Sequence, residues 1–336
     1  MEQRSLGRTG LKVSEICLGT MTFGVQCDEA TSGAILDRAA AGGVTFLDTA
    51  DCYPVPLSLE TAGRTEEILG RWLHGKRERF VVATKCFFPM GPGPNDRGSS
   101  RRHIMAAVEA SLRRLRTDFI DLYQVHAFDP ETPLDETLRA LDDLVRAGKV
   151  RYAGCSNFRA WELGEALAVS ERLGLARFDC TQPRYILLHR EIETELLPLC
   201  LHRGVGVIVF NPLAGGLLTG KHRPNQEPAP NTRFGTLLGA TAVTYQERYW
   251  QDAMLAAVEG LRPLFAERGK PLASVAVAWV LAQAGITSAI VGASHPDQLQ
   301  ATLAATELEL LPDEQRILDE VWYRLPRLAP SSGPVR

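Results

Sequence analysis

Residues 15–21 read Glu-Ile-Cys-Leu-Gly-Thr-Met. This short apolar strand pattern ends in Leu18-Gly19-Thr20-Met21, with no Gly-x-Gly-x-x-Gly turn behind it. An open, doubly wound sheet that cradles a dinucleotide would place such a turn after its first strand. Seven further runs, at 44–48, 80–85, 120–126, 150–155, 178–182, 205–210 and 288–292, include several that are nearly continuous in apolar residues. That character suits parallel strands covered on both faces. Amphipathic stretches at 32–41, 65–74, 100–114, 134–147, 160–173, 191–202, 272–284 and 296–306 alternate with the strands. Asp129-Pro130 and Thr132-Pro133 precede the fourth helix and Gly148 follows it, while Gly42-Gly43 closes the first and Gly174 the fifth. Eight strand–helix units in strict alternation predict an α/β fold, a (β/α)8 TIM barrel, with 1–336 as one domain.

Two additions decorate this plan. Residues 4–14, with Gly7 and Gly10 inside, read as a β-hairpin plugging the barrel floor. Residues 221–249 form a long insertion after the seventh strand, of a length usually reserved for function. An extra C-terminal helix is expected over 313–323 and a frayed end over 325–336.

Charge and composition exclude several classes. Lys plus Arg number 37 against 40 Asp plus Glu, a net charge of −3. No basic excess draws the chain to nucleic acid or to an anionic membrane. The longest mainly apolar run, 271–286, is broken by Ser274, Gln283 and Gly285, and falls short of the roughly 20 residues a span needs. The opening MEQRSLGRTG lacks the apolar stretch of a signal peptide. The seven cysteines, Cys17, Cys27, Cys52, Cys86, Cys155, Cys180 and Cys200, contain no Cys-x-x-Cys pair. They read as buried thiols of a cytoplasmic protein, with neither a disulfide framework nor a metal.

In such a barrel, chemistry sits at the carboxyl ends of the strands. Those ends supply Asp48, Lys85 and His126, with Tyr53 five residues beyond Asp48. A carboxylate, an ammonium, a phenol and an imidazole thus converge on one rim. Singly, each residue more often caps a helix or faces solvent; four titratable types on neighbouring strands are harder to set aside. A Schiff-base aldolase also uses a strand-end lysine, but needs its pKa lowered, and a neighbouring Asp48 would raise it.

At these residues the sequence resembles the aldo-keto reductase superfamily. Phe46-Leu47-Asp48-Thr49-Ala50-Asp51-Cys52-Tyr53 is similar to its Asp-Thr-Ala-x-x-Tyr motif, and Ala83-Thr84-Lys85 and Gln124-Val125-His126 follow in the family's order. The likeness continues through 154–158, 181–185, 211–221 and 291–294, so it spans roughly residues 3–310. It implies reduction of a small-molecule ketone or aldehyde with NADPH, NADH being the alternative. The substrate would be bulky, such as a ketone of specialised metabolism or a sugar ketone. Oligomeric assembly is left open. Some relatives act as regulatory subunits of membrane channels, so a cofactor-binding subunit with vestigial activity is the rival reading.

The resemblance assigns roles residue by residue. Tyr53 would donate the proton, and Asp48 would pair with Lys85. His126 would orient the carbonyl. A lysine at about 4 Å stabilises a phenolate by up to roughly 4 kcal/mol at an effective dielectric near 20, so Lys85 is expected to lower the Tyr53 pKa by up to about three units, with Asp48 cancelling part of that shift. Gly19, Thr20, Met21 and Asp48 would border the cofactor, with Ser156, Asn157 and Gln182 on the carboxamide and Phe210 stacked on the nicotinamide ring. Asn211, Pro212, Leu213 and Gly215 would wrap the pyrophosphate, glycine letting backbone N–H groups approach. Gly292, Ser294 and Gln298 would open a helix toward a phosphate. His295 stands where many relatives carry a cation and Thr302 where many carry Asn, so Lys221 and Arg233 are expected to hold the 2′-phosphate. Phe87, Phe88, Phe128 and Trp250, with Tyr53 and His126, would line the substrate mouth.

Overall fold

The computed structural model describes residues 1–326; the end expected to fray lies, from residue 327 on, outside the described residues. Eight parallel strands close a barrel: β3 (Ile16–Gly19), β4 (Phe46–Asp48), β5 (Val81–Cys86), β6 (Ile120–Val125), β7 (Val150–Ser156), β8 (Phe178–Gln182), β9 (Gly206–Phe210) and β10 (Ile286–Gly292). β10 pairs with both β9 and β3, which closes the ring. Helices α1 (Glu29–Ala41), α2 (Arg64–Trp72), α3 (Arg101–Leu115), α4 (Leu134–Arg146), α5 (Ala160–Leu173) and α6 (Leu196–Arg203) follow the first strands in turn. The (β/α)8 barrel expected from the alternation is the fold observed.

The strand pattern has period two, so successive side chains face opposite sides of the barrel wall. Cys17, Phe46, Ala83, Leu122, Cys180, Ile208 and Ile290 point inward and pack as one cluster. The alternate set, including Leu18, Leu47, Val82, Tyr123 and Val209, packs outward against the helices. Two residues further along each inward-facing strand stand Gly19, Asp48, Lys85, Gln124, Gln182, Phe210 and Gly292. An apolar lower layer thus carries a mostly polar upper one.

The floor is sealed as expected. β1 (Gln3–Ser5) and β2 (Lys12–Ser14) pair antiparallel, and Leu6 and Val13 complete the lower cluster. Gly7 has φ +58°, and a Cβ there would lie 2.5 Å from Gly206 N and 2.6 Å from Gly204 O. Only glycine lets the hairpin press this closely on β9.

Differences from the sequence reading concentrate after β9. The 221–249 insertion ends in α7 (Thr241–Tyr249), and α8 (Asp252–Glu267) precedes α9 (Leu272–Leu281). α8 escapes pattern reading because Pro263 and Gly260 interrupt its core-facing residues Leu255, Val258, Leu261 and Phe265. The helix expected at 191–202 begins as a 3-10 turn, Glu191–Glu193, and the one expected at 296–306 contains only six α-helical residues, α10 (Leu299–Ala304), between 3-10 turns. α11 (Pro312–Arg324) is the extra C-terminal helix. Among the described residues no helix is long and apolar enough to cross a membrane, and all seven cysteines are buried and free.

Gly7→Ala is expected to destabilise the chain by about 1–3 kcal/mol through overpacking and backbone strain, read as a lower denaturant midpoint.

Candidate active site

The centre of the upper layer is an ion pair closed to solvent. The Lys85 ammonium donates 2.6 Å to Asp48 Oδ2 and 2.8 Å to the Thr49 carbonyl. Its side chain is 0% exposed and that of Asp48 4%. The other Asp48 oxygen accepts from Gln182 Nε2 at 2.8 Å and Gln124 Nε2 at 3.3 Å. Gln182 also donates to Gln124 Oε1 at 3.3 Å. Four side chains from four strands therefore satisfy one another where unpaired charges would cost several kcal/mol. Gln124 was not singled out from the sequence, although its inward register, two residues beyond Leu122, was available there. Gly154 makes room for it: a Cβ there would meet Gln124 Cγ at 3.1 Å.

Tyr53 and His126 stand above this pair. Tyr53 is half-buried, with its ring centroid 5.2 Å from Lys85 Nζ and 5.8 Å from the His126 ring, edge-on. Burial raises the Tyr53 pKa well above the usual phenol value, with Asp48 adding to the rise. This corrects the sequence expectation of a lowered value. Asp48 neutralises the lysine at contact distance, so the phenol faces an ion pair and not a lone cation. Burial and Lys85 together push the His126 imidazole well below its ordinary range, and its Nδ1 has no partner. The site therefore holds a protonated phenol beside a neutral imidazole. Behind it, Asp51 is fully buried with neither carboxylate oxygen bonded, and burial followed by Glu66 drives its carboxyl toward the protonated form.

The expected mouth residues divide into three groups. Phe88 meets His126 edge-on at 4.9 Å and Phe87 at 5.4 Å. Phe128 instead packs on Phe158 and Trp161, and Trp250 on His222 and Phe234. Neither ring contacts the phenylalanine pair. Tyr245 of α7, which sequence reading passed over, adds to the electrostatic rise at Tyr53 and is buried. A Cβ on Gly215 would stand 2.8 Å from its ring.

The remaining candidates follow the rim. Ser156 Oγ donates to the Gln182 carbonyl at 2.8 Å, and Asn157 Nδ2 to the His126 carbonyl at 3.0 Å. Thr20 Oγ1 donates to the Asp48 carbonyl at 2.9 Å, while the Met21 carbonyl accepts from Val55 N. Phe210 closes β9, its N–H on the Pro183 carbonyl. Beyond Asn211 and Pro212, Gly215 and Gly216 take φ +68° and +108°, and the Leu213 carbonyl accepts from Gly216 N and Leu218 N. Two basic side chains converge here. Arg233 Nη2 would lie 3.5 Å from a Cβ on Gly292, and Lys221 Cε 3.9 Å from one on Gly216. Partial burial and then Arg233 hold Lys221 below its usual pKa. Ser294 and Gln298 bond one another, Ser294 N donating 2.9 Å to Gln298 Oε1. Thr302 is buried and bonds the Leu299 carbonyl.

The parallel barrel thus carries a buried Lys–Asp pair under a tyrosine and a histidine, beside a glycine turn where Lys221 and Arg233 have no carboxylate partner among the described residues. The family model for the Aldo/keto reductase family matches residues 15–323. The chain belongs to that family of oxidoreductases, whose members generally use NAD(P)H and act on small carbonyl substrates. It is 41% identical over 329 residues, 96% of each chain, to the uncharacterized oxidoreductase YrpG of Bacillus subtilis (strain 168). A probable voltage-gated potassium channel subunit beta of Arabidopsis thaliana is 37% identical over 313 residues, 92% of each chain. Versiconal hemiacetal acetate reductase of Aspergillus parasiticus is 34% identical over 346 residues, covering 95% of this chain and 96% of that protein.

Lys85→Met strands the Asp48 charge in the barrel and is expected to cost about 3–5 kcal/mol of stability. In a urea titration, adding Asp48→Asn should recover part of that loss, because the uncompensated carboxylate disappears with it.

Proposed function

We propose that the chain reduces a ketone or aldehyde to the alcohol with NADPH, Tyr53 donating the proton. The observation carrying this reading is the Tyr53 phenol and His126 imidazole set over the buried Lys85–Asp48 pair. When bound, the reduced nicotinamide supplies a hydride to the carbonyl carbon. The developing oxyanion needs a donor already in place. Tyr53 O–H is that donor, and its raised pKa keeps the proton on oxygen throughout the neutral range. His126, neutral by burial, aligns the carbonyl by donating a hydrogen bond. As the phenol loses its proton, Lys85 offsets part of the charge left on Tyr53. Asp48 fixes that ammonium, so no reorganisation is required at the moment of transfer.

Residues on the rim fit the cofactor. The amide oxygens of Asn157 and Gln182 would accept from a carboxamide, with Ser156 Oγ donating to the Gln182 carbonyl and accepting from Asn157 Nδ2. Phe210 offers an aromatic face at the strand end, and Gly19, Thr20 and Met21 border it. The Asn211–Gly215 turn presents backbone to a pyrophosphate. Lys221 and Arg233, unpaired with any carboxylate among the described residues, would hold a 2′-phosphate beside Gly292, a preference that charge complementarity supports. Ser294 and Gln298 shape that corner through their mutual bonds. Phe87 and Phe88 form the apolar wall for a bulky substrate, while Phe128 and Trp250 brace its outer loops. The name of the Arabidopsis relative favours a second reading, a cofactor-binding subunit with weak turnover.

Tyr53→Phe is expected to lower carbonyl reduction by 10²–10⁴ while NADPH affinity, measured by fluorescence titration, stays nearly constant. Retention of more than about a tenth of the rate removes Tyr53 as the acid. Tight NADPH binding by the wild type, with no oxidation above background by an aromatic aldehyde, favours the subunit reading. The pH profile of kcat/KM should carry no limb near 6.5 attributable to His126, since its folded pKa lies below that of free imidazole; a limb there that vanishes in His126→Asn contradicts the neutral assignment.

A further inference from the structure

Two guanidinium groups without an ion-pair partner among the described residues stand near the end of β8 and in α7. Arg184 lies two residues past β8, and its backbone bridges Phe210. Its Nη2 is 2.9 Å from His189 Nε2, and its Cζ is 5.9 Å from the Tyr249 ring centroid. A guanidinium only donates, so that imidazole nitrogen must offer a lone pair and His189 must be neutral. Arg248 sits beside Tyr249 at the end of α7. Burial, then Arg184 and Arg248, hold the His189 pKa down at about 3. Glu191 Oε2 lies 3.7 Å from His189 Nε2.

Four other arginines with restricted exposure are paired. Arg4, Arg77, Arg114 and Arg190 each hold a carboxylate at 2.8 Å or less. Arg184 and Arg248 make no ion pair among the described residues. A guanidinium without a carboxylate partner is open to an anion from outside the chain, and its planar donor fork suits a carboxylate or phosphate. The position is on the catalytic rim. Tyr249 OH accepts from Asn211 Nδ2 at 3.3 Å. Its ring is 6.1 Å from that of Tyr245, which in turn acts on Tyr53.

We propose that Arg184, whose guanidinium lies 5.9 Å from the Tyr249 ring, and Arg248, the residue before Tyr249 in α7, form a subsite for an anionic oxygen group of the carbonyl substrate. The substrate is then an oxo acid or a phosphorylated oxo compound. This rests on the reductase reading above. The carbonyl end meets Tyr53 and His126, and the anionic end is held one aromatic layer away. His189 keeps Arg184 aimed by accepting one of its five N–H donors.

The test compares matched charged and neutral carbonyls. The pairs are 4-carboxybenzaldehyde against methyl 4-formylbenzoate, and glyceraldehyde 3-phosphate against glyceraldehyde; the pair with the larger ratio tells carboxylate from phosphate. In the wild type, kcat/KM for the charged member of one pair is expected to exceed its neutral partner by about tenfold or more. In Arg184→Gln and Arg248→Gln that ratio should fall about 10- to 100-fold, mainly through KM, as expected for loss of charge-assisted hydrogen bonds. Ratios within twofold of wild type in both variants overturn the subsite. So does an equal loss on charged and neutral members accompanied by weaker NADPH binding, which assigns the pair to the cofactor. Should the wild type reduce none of the four, the reductase reading fails. Calorimetric titration of 4-carboxybenzaldehyde and glyceraldehyde 3-phosphate then decides the subsite alone: weakening of about tenfold in both variants sustains it, and unchanged binding removes it.

Discussion

An ammonium with no exposure to water is the constraint around which the upper half of this barrel is arranged. Lys85 needs Asp48 at contact distance, Asp48 needs the amides of Gln124 and Gln182, and Gln124 needs the missing side chain of Gly154. Each requirement falls on a different strand, so closing the barrel and satisfying the charge are one event. The chemistry inherits its rigidity from that arrangement. Tyr53 and His126 need no network of their own, since the layer beneath them is fixed.

The same pairing decides the protonation states above it. A lone lysine would pull a neighbouring phenol toward ionisation; a lysine already neutralised leaves burial in charge, and burial keeps both Tyr53 and His126 uncharged. In the proposed reaction, that gives two neutral donors facing a developing negative charge. Lys85 contributes only when the phenol begins to ionise.

The barrel was legible in the sequence because its strands are apolar and its turns are punctuated, and Asp48, Lys85 and His126 were legible because they end those strands. The inward position of Gln124 was equally available, two residues past Leu122, but an amide in a strand draws less notice than a charge. What the pattern did not carry lies in the 221–267 region. α8 contains a proline, α7 sits inside a segment of turn-forming residues, and Tyr245 packs over Gly215 only because that residue leaves space for its ring. The distribution of the aromatic rings was not readable either. Phe128 and Trp250 lie close in sequence to rim segments, yet each is taken by neighbours on its own loop. The Tyr53 shift follows first from burial, which spacing along the chain does not encode.

The hairpin that seals the barrel base has an evolutionary corollary. Leu6, Val13 and Gly7 lock the cylinder at the end opposite the reaction, so the cylinder's integrity is secured independently of whatever the rim segments contain. The stretches beyond Tyr53 and after β5 can therefore change in length and sequence without opening the cylinder, which leaves room for new substrates above an unchanged base.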